Sequence, residues 1–227
     1  MYTLRYDYPM IEAVIFDMDG ILIDSEPVWN EARVRMAARL GKDWTHQDHE
    51  AVMGVSTKEW VEYMLKRLEP PMSAAEVQEE IGQTMVDLYH EAIPFMPAAV
   101  EAVDLVKSHF RVGLASGSIR RLIDIVTASQ ELSGKFEVIL SADQVERGKP
   151  WPDVYLKTAD LMGVNPEHCI CIEDSGNGIM AGKAAGMKVI AVPDHRFPAK
   201  PEKLAEADVI LDSLAQINKA LLESLFT

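Results

Sequence analysis

Two aspartates one residue apart, Asp17 and Asp19, close the apolar run Val14-Ile15-Phe16 and are followed by Gly20. Carboxylates this close are unfavourable unless a cation or a shared proton relieves them, and their hard oxygens suit Mg²⁺. Three more polar groups follow apolar runs in the same way. Ala115-Ser116-Gly117-Ser118 comes after Val112 and Leu114, Gly148-Lys149-Pro150 after Val138 to Leu140, and Glu173-Asp174-Ser175-Gly176-Asn177-Gly178 after Ile172. Taken singly each has a plain reading: Ser116 or Ser118 as a helix N-cap, Lys149 as a solvated lysine, Glu173 and Asp174 as loop acids. Taken together they point to a metal-assisted reaction.

The elements that must hold these groups follow from the pattern. An apolar run such as Val14 to Phe16 reads as a parallel strand buried on both faces. Its acids therefore emerge at the carboxyl end, where open α/β sheets bind ligands. Further strands are expected at 111 to 115, 137 to 141, 169 to 172, 188 to 192 and Val209 to Leu211. Helices run to Lys107, over Ile119 to Ser129, from Pro152 to a stop at Gly163, over 178 to 185 with Gly186 as its end, and over Leu214 to Leu225. This alternation implies a doubly wound parallel sheet with right-handed crossovers. Between the first and second strands the chain reads as helix only: Glu26 to Leu40 with apolar Trp29, Ala32, Met36 and Leu40, then Thr57 to Leu68, then Ser73 to Ile93 opening on a capping box. The expected organisation is an α/β domain of residues 1–23 and 95–227 interrupted by a helical domain of residues 24–94. Asp194 to Pro201 reads as a polar surface loop.

In order, the four groups resemble the four motifs of the haloacid dehalogenase superfamily of phosphotransferases: Asp-x-Asp-Gly, Ser/Thr, Lys and an acidic pair. The resemblance spans nearly the whole chain. It implies a Rossmann-like core with an inserted cap, with Asp17 as nucleophile and Asp19 as general acid and then base. It also implies that Mg²⁺ is held by Asp17, the main-chain carbonyl of Asp19 and Asp174, with Glu173 assisting directly or through water. Ser116, Lys149 and the amides of Met18 and Gly117 would hold the phosphoryl oxygens. The helical insert resembles the cap of the β-phosphoglucomutase and sugar-phosphatase branch. Asp24-Ser25-Glu26-Pro27 and Trp29 are similar to the 2-deoxyglucose-6-phosphatase or hexitol-phosphatase type. β-Phosphoglucomutases carry a cap histidine and arginine where this chain has Trp29 and Thr57, so the resemblance implies hydrolysis of hexose or hexitol phosphates, with a mutase as the alternative. Trp29, Ser56, Thr57 and Lys58 are the expected cap contacts to substrate, and Trp151 is expected to narrow the entrance.

Two other motifs compete. Asp17-Met18-Asp19-Gly20 begins like a calcium loop, but that loop needs glycine sixth and an oxygen ligand fifth, where this chain has Leu22 and Ile21. Gly176-Asn177-Gly178-Ile179-Met180-Ala181 with Asp194 matches a dinucleotide fingerprint. That reading of an oxidoreductase places Glu173 and Asp174 against a pyrophosphate and leaves Asp17, Asp19 and Lys149 unexplained. A non-catalytic phosphate-binding module is the remaining alternative.

The formal net charge of −14 opposes binding to nucleic acid or anionic membrane, so the expected partner is a small phosphorylated molecule met by local cations. A cytoplasmic monomer is expected: no basic apolar leader opens the chain and no apolar run approaches the ~20 residues of a membrane span. Cys169 and Cys171 would point to one face of a strand as buried free thiols. Neither His46 nor His49 is expected to hold a metal.

Overall fold

The computed structural model describes residues 11–53, 57–196 and 199–227. Four consecutive apolar residues make β1 (Ala13–Phe16), which is buried along its whole length. The chain divides into two compact units, Met1–Ile23 with Phe95–Thr227, and Asp24–Pro94.

The second unit holds α1 (Glu26–Arg39), α2 (His46–Val52), α3 (Thr57–Leu68) and α4 (Ala74–Glu91). Ser73 caps α4 through the expected reciprocal box with Glu76. The sequence reading lacked α2, whose His-Gln-Asp-His-Glu stretch carries no apolar period. It forms because Thr45 and Asp48 make a capping box of their own, and because Asp48 is buried against Tyr63 and Arg67 of α3.

The first unit continues through α5 (Ala99–Lys107), β2 (Arg111–Ser116), α6 (Arg120–Ala128), β3 (Val138–Ser141), α7 (Asp153–Met162), β4 (Cys169–Glu173), α8 (Gly176–Ala184), β5 (Lys188–Ala191), α9 (Pro201–Leu204), β6 (Val209–Ile210) and α10 (Lys219–Ser224). All strand pairs are parallel, in the order β3-β2-β1-β4-β5-β6. The chain thus builds outward one way from β1, then returns to β1's other side, and ligands bind at the carboxyl end of such a reversal. Phe16 pairs with Leu114 on one side and Ile172 on the other. One step further, Asp17 stands between the ends of β2 and β4. The closing helix is shorter than expected: a 3₁₀ turn at Leu214–Gln216 precedes α10, because Ser213 and Asn218 each cap a separate segment. On one face of the sheet, Ile15, Ala115, Cys171 and Val189 pack with Val154, Tyr155 and Ala159 of α7. Cys169 and Cys171 are buried and free. No described helix is long and apolar enough to cross a membrane.

Candidate active site

Lys149 is the hub of the site. Its ammonium lies 2.8 Å from Asp17 Oδ1 and 2.6 Å from Glu173 Oε1, donates to the carbonyl of Ala115 at 3.1 Å, and sits 5.0 Å from the Tyr155 ring centre. The Tyr155 hydroxyl donates to the same Glu173 oxygen at 2.5 Å. Glu173 Oε2 accepts from the Ser175 amide and hydroxyl at 3.4 and 3.2 Å. Both oxygens of this fully buried carboxylate therefore have partners. Tyr155 was missed from the sequence because it reads as an ordinary core position of α7. The signal that remained was a hydroxyl on that apolar face.

Two glycines make room for the acids. A Cβ on Gly20, which has φ +72°, would overlap the Asp174 carboxylate, and one on Gly178 would overlap that of Glu173. Gly178 is small to admit a carboxylate, which rules out the dinucleotide reading of Gly176 to Ala181: a pyrophosphate there would meet Glu173.

The serine readings change. Neither Ser116 nor Ser118 caps α6, whose N-cap is Ile119 without a side-chain bond. Both hydroxyls instead donate to Asp19 Oδ2, at 3.1 and 2.7 Å, and the Ser118 amide donates to Ser116 Oγ at 3.0 Å. This fork orients Asp19 and leaves its buried Oδ1 without a hydrogen-bond partner. Met18 is buried, and nothing crowds the space where a side chain on Gly117 would stand.

Oxygens of Asp17, Glu173 and Asp174 lie within 4.8 Å of one another. Burial pushes the Asp17 carboxyl up to about 8; Lys149 opposes this, while Glu173 and Asp19 add to it. Asp174 is raised well above the usual carboxylate range by burial and by Glu173 and Asp17. The charges of Asp17 and Glu173 in turn hold Lys149 above its usual range despite its burial. One ammonium among four carboxylates leaves the cluster short of positive charge, and the all-oxygen grouping of Asp17, Glu173 and Asp174 fits a hard divalent cation such as Mg²⁺.

The other expected site residues belong to the helical unit. Trp29 packs against Trp60, ring centres 5.9 Å apart. Thr57 and Lys58 are exposed in the first turn of α3, with Lys58 3.9 Å from Glu62. Ser56 lies outside the described residues. In the α/β unit, Trp151 is exposed with the Arg147 guanidinium 4.4 Å over its ring.

The profile of the haloacid dehalogenase-like hydrolases matches residues 14–192. Hexitol phosphatase B of Escherichia coli strain K12 is 37% identical over 211 residues, covering 91% of this chain and 94% of that protein. The phosphorylated carbohydrates phosphatase of Thermotoga maritima is 34% identical over 181 residues, covering 79% and 84%. Among solved structures, CbbY from Rhodobacter sphaeroides in complex with phosphate superposes with a TM-score of 0.81 at 28% identity, covering 95% of this chain and all of that one. β-Phosphoglucomutase from Clostridium difficile gives 0.79 at 28% identity, covering 96% and 97%.

Proposed function

Because the chain belongs to the haloacid dehalogenase-like hydrolases, we propose that it is a Mg²⁺-dependent phosphatase of small phosphorylated carbohydrates, hexose or hexitol phosphates foremost. The observation that carries this reading is Asp17 at the strand end, beside Lys149 at 2.8 Å and within reach of Asp174. The likeness to two carbohydrate phosphatases supports the substrate class.

Asp17 attacks the phosphorus in line, forming a bond from its carboxylate oxygen while the bond to the ester oxygen breaks. Asp19 gives its proton to the departing alcohol. It then takes a proton from a water molecule, which attacks the same phosphorus, frees Asp17 and releases inorganic phosphate. The two serine hydroxyls on Oδ2 hold Asp19 in orientation, so its unbonded Oδ1 is the atom that moves the proton. The amides of Met18 and Gly117, with the Lys149 ammonium, receive the phosphoryl oxygens. In phosphoryl transfer, positioning and charge neutralisation supply most of the acceleration. When bound, Mg²⁺ would be held by the side chains of Asp17 and Asp174 and the carbonyl of Asp19, adding positive charge against the phosphoryl oxygens. Glu173, with both oxygens engaged, serves by fixing Lys149. The helical unit acts as the cap, with Trp29, Ser56, Thr57 and Lys58 contributing to substrate selection.

The test is phosphate release across a panel of hexose and hexitol phosphates, with Mg²⁺ and with excess chelator. Release in Mg²⁺ alone is expected, with β-glucose 1-phosphate yielding free phosphate faster than glucose 6-phosphate. Full activity in chelator would end the metal-dependent reading. Faster accumulation of glucose 6-phosphate would establish the mutase.

A further inference from the structure

The fork of Ser116 and Ser118 on Asp19 Oδ2 aims that carboxyl only while the main chain carrying Ser118 stays in place. α6 begins directly after this segment and brings no side-chain cap of its own. The hold comes from the neighbouring strand. Ser141, the last residue of β3, stands opposite Ser116 in the β2–β3 pairing and is fully buried. Its hydroxyl donates to the Ser118 carbonyl at 2.7 Å. The same oxygen accepts from the Asp143 amide at 3.1 Å, and the Ser141 amide donates to Gln144 Oε1 at 3.1 Å. These two bonds close a 3₁₀ turn over Ala142–Gln144. A hydroxyl has one proton to give, and here Ser118 receives it.

The rest of the turn reaches the same segment. Arg120, at the start of α6, donates through Nη1 to the Ile139 carbonyl at 3.0 Å and to Gln144 Oε1 at 3.3 Å, and its amide donates to Asp143 Oδ2 at 3.4 Å. These bonds are exposed, so water competes for them. The Ser141 bond is short and buried. Breaking it frees the main chain at 118–120 to shift, and the Ser118 hydroxyl, 2.7 Å from Asp19 Oδ2, shifts with it.

We propose that Ser141 is a positioning residue for Asp19: its hydroxyl fixes the Ser118 carbonyl, the fixed main chain aims the Ser118 hydroxyl, and that hydroxyl turns Asp19 Oδ1 towards the ester oxygen. Ser141 touches no reacting atom. The proposal rests on the reading of Asp19 as the acid of the phosphatase reaction above. The link from Ser141 to Asp19 rests on the hydrogen bonds.

The experiment compares kcat/KM for glucitol 6-phosphate and for 4-nitrophenyl phosphate in saturating Mg²⁺. The proteins are the unaltered chain, Ser141→Ala, Gln144→Ala, Ser118→Ala and the Ser118→Ala/Ser141→Ala double variant. kcat/KM covers the first phosphoryl transfer, in which the departing sugar alcohol needs a proton and nitrophenolate does not. A general loosening of the site lowers both values alike and cancels in the ratio of the first ester to the second. In Ser141→Ala that ratio should fall about tenfold, a part of the roughly 10²–10⁴-fold that a well-placed acid contributes. Gln144 is exposed, so Gln144→Ala tests the same turn should Ser141→Ala not fold; its ratio should fall about twofold or more. The double variant should lose less than the product of the two single losses, because Ser141 acts through Ser118. An unchanged ratio in Ser141→Ala, or in Gln144→Ala should the first not fold, overturns the proposal, and so does a double loss equal to that product. Asp19→Asn is the control. If it loses both esters equally, the acid reading fails and takes the proposal with it; if it lowers the ratio and Ser141→Ala does not, the proposal alone fails.

Discussion

Tyr155→Phe removes one buried oxygen and little else. The ring is fully buried in the sheet's α7-side core, and phenylalanine keeps its shape and its face towards Lys149. What is lost is the 2.5 Å hydrogen bond to Glu173 Oε1. Burial and the Glu173 charge push the phenol well above its ordinary 10, so it is a donor at every practical pH. A bond to a charged acceptor is worth ~1.5–3 kcal/mol. The low end applies, because Lys149 still holds that oxygen at 2.6 Å. At ~2–4 °C per kcal/mol for a chain of this size, a loss of ~1.5 kcal/mol lowers Tm by about 3–6 °C. Calorimetry of the metal-free variant at pH 7 measures this. A midpoint shifted by less than about 1 °C would show that the hydroxyl adds nothing to the Glu173 network and refute the reasoning.

Asp19→Asn should lower turnover roughly 10²–10⁴-fold, more for a sugar phosphate than for an activated aryl phosphate, whose leaving group needs no proton; equal losses count against its acid role. The metal-free chain should lose stability as pH rises from about 4 to about 8, because folded Asp17 at about 8 retains a proton that the unfolded carboxyl, ordinary value 3.8, has already released. Chemical denaturation across that range reads the slope, which saturating Mg²⁺ should abolish; a flat metal-free profile contradicts the charge deficit. Asp174→Asn should raise the Mg²⁺ concentration giving half-maximal phosphate release, and an unchanged requirement excludes Asp174 as a ligand.

Much of the α/β unit was legible because buried parallel strands advertise themselves. β1, β2 and β4 are apolar runs that break at Asp17, Ser116 and Glu173, so strand and functional group were read from the same residues. Less legible were features set by contacts distant in sequence. Ser116 reads from the sequence as a phosphoryl ligand, with a cap for α6 as the plain alternative for it and Ser118, but Asp19, some hundred positions away in sequence, takes both hydroxyls. Tyr155 looked like filler until Glu173 was placed beside it. For α2 the signal is local: Thr45-His46-Gln47-Asp48 is a capping pattern without an apolar period beside it.

The central claim is that Asp17 becomes phosphorylated during turnover. Rapid mixing with ³²P-labelled hexose phosphate and Mg²⁺, acid quenching and peptide mapping test it most directly. The account predicts an acid-stable, base-labile label on the peptide carrying Asp17, absent from Asp17→Asn, which should stay folded without turnover. A label on another residue, or phosphate release by Asp17→Asn at the unaltered rate, would contradict it.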